Sequence, residues 1–272
     1  KNSEDIKLVA NDNFYEGRPK IDEILYTFLP DPTTSFLMLK QKKLDLGSLS
    51  PLQINRQLDT NFKTEHKIIE QPSFGYSYLG FNLRNDKFKD LRIRRALSMA
   101  INRDELVKIL YFGHAKVCHG PFLPGSFAFN ENVQSPKQNL KKAKELLKEV
   151  GYDENNPFEF EIVTNTGNEI RINAAQILQY QLAKIGVNMK IRVMEWQAFL
   201  NTVVFPRKFE AVILGWSLSL MPDAYSIWHS KSDKKGGFNF VGYKNKEVDA
   251  LIEKGAITIN KEKLGIIYKK LF

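Results

Sequence analysis

The chain has 272 residues, of which 43% are hydrophobic and 26% charged, enough apolar material for a real core in one large or two ordinary domains. Forty Lys and Arg against 31 Asp and Glu leave a net charge of +9, which favours acidic partners in general. Nucleic acid is excluded as a partner because Lys141, Lys142, Lys144 and Lys148 are scattered at helix-surface spacing, with no aromatic interleaving.

Ile6 to Ala10 reads as a short strand, followed by a turn-rich segment from Asn11 to Pro19. Ile21 to Leu29 alternates as a second strand and is stopped by Pro30 and Pro32. Asp31 or Thr33 caps a helix expected from Ser35 to Lys42, and Pro51 to Leu58 starts a second. Leu44 to Leu46 and Lys67 to Glu70 read as brief strands. From Ser73 to Asn82 aromatics alternate with small residues, so Phe74, Tyr76 and Tyr78 share one strand face, which serves equally as a ligand wall or a packed sheet face.

Asp90 caps the clearest helix, in which Leu91, Arg94, Arg95, Leu97, Ser98 and Ile101 keep helical spacing; Asn102 restarts a second helix that Gly113 closes. The arginines Arg92, Arg94 and Arg95 fit a solvated face better than a phosphate site. His114 to Pro136 is a long loop that keeps large apolar groups, the kind of segment that lines clefts. A lysine-rich helix runs from Asn139 to Val150. Then come a strand from Phe158 to Thr164, a helix from Glu169 to Ile185, a strand from Val187 to Met194 and a helix from Glu195 to Val204. This βαβ rhythm predicts a largely parallel, helix-covered sheet. Its last strand begins at Phe209 and breaks at Gly215-Trp216 into a loop ending near Asp223, at the sheet edge, where α/β domains hold ligands. A short helix from Tyr225 to His229, a Gly- and aromatic-rich segment from Gly236 to Tyr243, and helices at Lys246 to Glu253 and Lys261 to Leu271 complete the chain.

Chemistry is conspicuous by its silence. The chain has no phosphate-binding glycine loop, zinc-protease motif, nucleophile elbow or paired cysteines, and a single cysteine, Cys118, permits no internal disulfide. His114, Cys118 and His119 lack a second cysteine or carboxylate at metal-ligand spacing. His229 has no spacing that makes it a base for Ser217 or Ser219, and Asp223, Asp249 and Glu253 form no acid–base pair. No catalytic residue, metal ligand or cofactor is nominated. No apolar run reaches the ~20 residues of a membrane-spanning helix, and Lys1-Asn-Ser-Glu-Asp5 is no secretory leader.

Several strings together resemble one family. Tyr78-Leu-Gly-Phe-Asn82, followed by Phe88-Lys-Asp-Leu-Arg-Ile-Arg-Arg-Ala-Leu-Ser-Met-Ala-Ile-Asn-Arg103, resembles the YLGFN and RVRxALxxAIDR signature of extracellular solute-binding family 5, the oligopeptide- and dipeptide-binding proteins of ABC importers. The Asn11 to Asp22 string, Lys42-Lys-Leu-Asp45, Ala143 to Tyr152, Gly215-Trp-Ser-Leu218, Trp228-His-Ser230 and Phe238 to Asp249 are similar to further elements of that family, in family order.

The resemblance implies an α/β, periplasmic-binding-protein-like (type II) fold with two hinged lobes, present here as a partial chain. Residues 1–77 would be the end of lobe I and residues 78–272 most of lobe II, with the hinge crossing near 76–82. It implies an extracytoplasmic monomer, periplasmic or a surface lipoprotein whose signal segment is not in this chain, that captures oligopeptides by lobe closure and delivers them to a membrane permease. It places Tyr76, Tyr78, Asn82, Gly215, Trp216, Ser217, Leu218, Ser219 and Asp223 around the ligand, with Gly215 and Ser217 lending main-chain groups in β-addition, Trp216 a wall, and Leu218 and Leu220 packing. Ser219 stands where peptide binders of the family carry an aspartate for the ligand's α-amino group, so that carboxylate must come from Asp223 or elsewhere. A non-peptide solute, such as an oligosaccharide or nickel complex, is the alternative within the family. A hydrolase or transferase on a similar scaffold is the alternative outside it.

Overall fold

Side-chain caps set most of the helix starts in the computed structural model, which describes residues 5–29, 31–219 and 223–272. The chain divides into two compact units, Lys1–Ile68 and Ile69–Phe272.

In the first unit, β1 (Ile6–Val9) pairs antiparallel with β2 (Glu23–Tyr26), and every residue of both strands is exposed. Helix α1 (Pro32–Lys40) starts where Asp31 accepts from the Thr33 and Thr34 amides, three residues before the expected Ser35, because Pro32 fits a helix's first turn. Helix α2 (Pro51–Arg56) opens on a reciprocal Ser50–Gln53 capping box. Helix α3 (Thr60–Glu65), absent from the sequence reading, is capped by Asp59 and buries only Phe62. Phe36, Leu39 and Phe62 form a small core. The brief strands expected at Leu44 to Leu46 and Lys67 to Glu70 do not form. Leu44 packs on that core while Leu46 is 89% exposed, so the segment bends, and 67–70 runs irregular.

The second unit is built on a four-stranded sheet with order β3-β6-β4-β5: β3 (Gly75–Phe81), β4 (Phe158–Asn165), β5 (Val187–Met194) and β6 (Ala211–Ser217). Strands β4, β5 and β6 run parallel, as the βαβ rhythm requires, while β3 is antiparallel to β6. Strand β6 is therefore internal, not the edge strand expected, because β3 pairs with it along its whole length. The strand expected to carry the hinge crossing lies wholly within this unit's sheet.

One sheet face packs on α4 (Leu91–Ala100), α6 (Leu140–Glu149) and α7 (Glu169–Ala183) around Phe88, Leu97, Phe158, Ile162, Leu182 and Ile213. Helix α5 (Arg103–Tyr111), capped by Asn102, ends at left-handed Phe112 and Gly113. The other sheet face packs on α8 (Trp196–Phe199) and the π-helical turn Leu200–Val204 that continues it, through Phe199, Val204, Val212, Leu214 and Phe240. Helices α9 (Tyr225–Trp228), α10 (Lys246–Ala256) and α11 (Lys261–Lys269) share a third core with Phe122 and Ala128 of the long loop.

Candidate functional site

The register of β3 on β6 decides which main-chain groups are offered to a ligand. Leu218 N–H donates to Phe74 O and Asn82 N–H to Glu210 O, at the two ends of one register. Hydrogen-bonded and non-hydrogen-bonded pairs alternate along an antiparallel ladder, so Tyr76 and Trp216 exchange their bonds while Gly215 and Ser217 point theirs away from β3. On that far side β4 pairs with β6 only at Ile162↔Ala211 and Val163↔Val212, and Thr164 Oγ1 donates to Ile213 O at 3.2 Å. Strand β4 stops at Asn165. The main-chain groups of Gly215 and Ser217 thus point past the end of β4. A side chain at Gly215 would come within 3.1 Å of Arg171 Nη2 and 3.2 Å of Tyr76 O, and a Cβ at Gly75 would meet Trp216 O at 2.5 Å.

Trp216 is half-buried and sandwiched. Its ring stacks on Tyr78 at 5.8 Å and on Phe240 at 5.4 Å, with the Phe238 ring near-perpendicular at 6.0 Å. Tyr76 and Tyr78 lie on the same face with rings 6.1 Å apart. Burial pushes both phenols far above their ordinary pKa, with the Cys118 thiol adding to it at Tyr76 and Tyr76 adding to it at Tyr78. The Tyr76 hydroxyl is buried without a hydrogen-bond partner.

A second unsatisfied group stands beside this wall, and the sequence reading missed it. Arg171, in the first turn of α7, donates from Nη1 to Asn165 Oδ1 at 2.8 Å and lies 5.8 Å from the Trp196 ring. Its Nε is buried and unpartnered. Burial lowers the guanidinium's pKa, while Tyr111 and Tyr78 act against that. An unpaired buried N–H on a cation costs free energy that an incoming carboxylate restores.

The remaining expected residues divide. Ser217 and Ser219 are exposed and Leu218 half-buried; Leu220 lies outside the described residues. Asp223 lies just ahead of α9, where its carboxylate accepts from Tyr225 N–H at 2.8 Å and Ser226 Oγ at 2.6 Å. Asn82 sits beyond the other end of β3 from Tyr76, 6% exposed. Its amide donates to Arg207 O and Phe209 O and accepts from Arg84, so it fastens the strand end instead of joining the cluster. His229 is 1% exposed; its Nδ1 accepts from Lys231 N–H and its Nε2 lies 3.2 Å from Glu253, away from both serines as partners. His119 Nδ1 takes the Ser135 amide, His114 faces Glu70, and the Cys118 thiol donates to Gly120 O. Among the described residues no cluster of three His, Cys, Asp or Glu is placed to hold a metal ion.

The whole chain superposes on the oligopeptide-binding protein AppA of Bacillus subtilis, solved in complex with a nonapeptide, with a TM-score of 0.84 and 32% identity, covering 100% of this chain and 56% of that one. It superposes on NikZ of Campylobacter jejuni, solved in complex with Ni(L-His), with a TM-score of 0.86 and 29% identity, covering 100% and 56%. The fold is thus that of part of a two-lobed bacterial solute-binding protein. In sequence the chain is 33% identical to B. subtilis AppA over 290 residues, and it spans about half the length of that relative, 52%. Residues 1–238 match the profile of bacterial extracellular solute-binding proteins, family 5 (middle region), and the chain belongs to that family.

Proposed function

We propose that the full-length protein is the extracytoplasmic substrate-binding component of an ABC importer, a monomer that closes two lobes on a peptide and hands it to a membrane permease. Differential affinity of the solute for the closed state drives such closure. The observation that carries the peptide reading is the pair of main-chain groups at Gly215 and Ser217, pointing past the end of β4 beside the Trp216 wall. An extended peptide laid there continues the sheet, read through its backbone and not its side chains. Tyr76, Tyr78, Trp216, Ser217, Leu218 and Ser219 line the course of that peptide, and Arg171 meets a carboxylate on it. Asn82 supports the strand from behind, and the Asp223 carboxylate, which already accepts from Tyr225 N–H and Ser226 Oγ, keeps lone pairs with which to meet an α-amino group.

A non-peptide solute is the second reading, favoured by Ser219 at the expected anchor position and by the likeness to the Ni(L-His) complex of NikZ. Native mass spectrometry of the full-length protein, purified without refolding, separates the two. The expected result is a retained peptide, recovered chemically unchanged, whose affinity by calorimetry falls roughly tenfold or more in Arg171→Gln. A retained sugar or metal complex overturns the peptide reading, and a cleaved product overturns the binding role.

A further inference from the structure

The segment Gly236-Gly-Phe-Asn-Phe240 serves the site only in part, for Phe240 is buried against Trp216 while Phe238 is 47% exposed. Single exposed aromatics are common and mean little. What sets Phe238 apart is how firmly the backbone around it is fixed. Gly236 takes φ +77°, which favours glycine, and a Cβ at Gly237 would fall 2.1 Å from Ser232 O, which leaves room for glycine alone there. Gly237 N–H donates to Lys234 O at 2.9 Å, and Arg207 Nη2 donates to Gly237 O at 3.2 Å. Asn239, fully buried, donates its amide N–H to Ser232 O at 3.3 Å and its side chain to His229 O at 3.3 Å and Tyr243 O at 2.8 Å. Phe238 is thus held from both sides by polar bonds that do not depend on burying its ring.

The plane of its ring crosses that of Trp216 at 79°, with centroids 6.0 Å apart, and that of Phe240 at 87°, with centroids 5.9 Å apart. Phe238 and the uncovered part of the half-buried Trp216 therefore make a right-angled aromatic corner, set in place before anything enters it. We propose that this corner is a side-chain subsite that takes an apolar, preferentially aromatic, side chain of the bound peptide. The inference rests on the peptide reading above and deepens it. Where Gly215 and Ser217 read backbone at every position alike, the corner adds preference at one position. A guest ring meets one wall face-on and the other at its edge, the two arrangements aromatic quadrupoles favour. The fixed turn means that little ordering opposes its entry.

The test uses the full-length protein and six peptides: penta-alanine and the five pentapeptides in which one alanine is replaced by phenylalanine. By calorimetry, at least one phenylalanine peptide binds the wild type about tenfold more tightly than penta-alanine. In Phe238→Ala that ratio falls to about twofold or less, and Phe238→Tyr restores it. An absent preference in the wild type overturns the proposal, and so does a ratio that survives Phe238→Ala, including the case where both affinities fall by the same factor. Failure to bind any of the six overturns the peptide reading itself, which keeps the two failures apart.

Discussion

Trp216 carries two duties at once, since its ring closes the stack between Tyr78 and Phe240 and also leaves part of its surface open. Trp216→Ala in the full-length protein is expected to lower peptide affinity at least tenfold. It should also lower stability by about 2 kcal/mol, less than a fully buried tryptophan would. Calorimetry and thermal unfolding read the two effects separately, and lowered stability with unchanged affinity would reduce the ring to packing alone. Trp216 stood out in the sequence because Gly215-Trp216 follows a β-branched run, although the strand runs on through Ser217 where the sequence predicted a break. Arg171 did not. A lone arginine in a helix's first turn has the same local signature as any solvated arginine, and only the neighbouring Asn165, Trp196 and Gly215 show that its Nε is buried without a partner. Asn82 shows the opposite limit. Its place in a signature string says nothing of which way an amide is used, and here the backbone of 207 and 209 uses it.

At the level of elements, caps and hydrophobic period located the helices and strands of the second unit nearly to the residue, as at Val187–Met194, because each has its own local stop signal. Pairing order was not legible. The sequence of β6 is the same whether it lies at an edge or between β3 and β4, since only the partner's register, set by residues some 130 positions away, distinguishes them. The turn after α8 and the loop carrying Phe238 are joined by a charged knot equally invisible in one dimension. Asp233, with a side chain 9% exposed, bonds Arg84 and lies 3.5 Å from Arg207 Nε and 3.4 Å from Lys244 Nζ. Burial alone would push its carboxyl up, but Arg84 and Lys244 outweigh that and hold it below the usual carboxylate range. A carboxyl depressed in the folded state stabilises the fold above its unfolded value, near 4, and loses that contribution as pH falls through the folded value. Asp233→Asn is therefore expected to cost roughly 2 kcal/mol at pH 7, with the gap to wild type narrowing as pH drops below about 4. Denaturant unfolding at several pH values measures it; a constant gap would deny the carboxylate its role.

Taken whole, the chain is uneven. The second unit has continuous cores on both sheet faces, whereas the first sets a fully exposed two-stranded ribbon beside a core of three buried residues. Composition averaged over 272 residues could not reveal that contrast, because a single figure of 43% apolar content does not say where along the chain those residues fall. The overhang of β6 beyond β4 has a consequence that isotope labelling can see in the full-length protein. Trp216 gives its amide hydrogen to β3 whether or not solute is present, so that hydrogen exchanges slowly in both states. The amides of Gly215 and Ser217 face past Asn165 and become protected only when a peptide lies alongside. Deuterium uptake resolved to single residues should thus alternate along 215–217, changing with ligand at the first and third positions and not at the second. A solute gripped only by side chains would leave no such every-other-residue imprint.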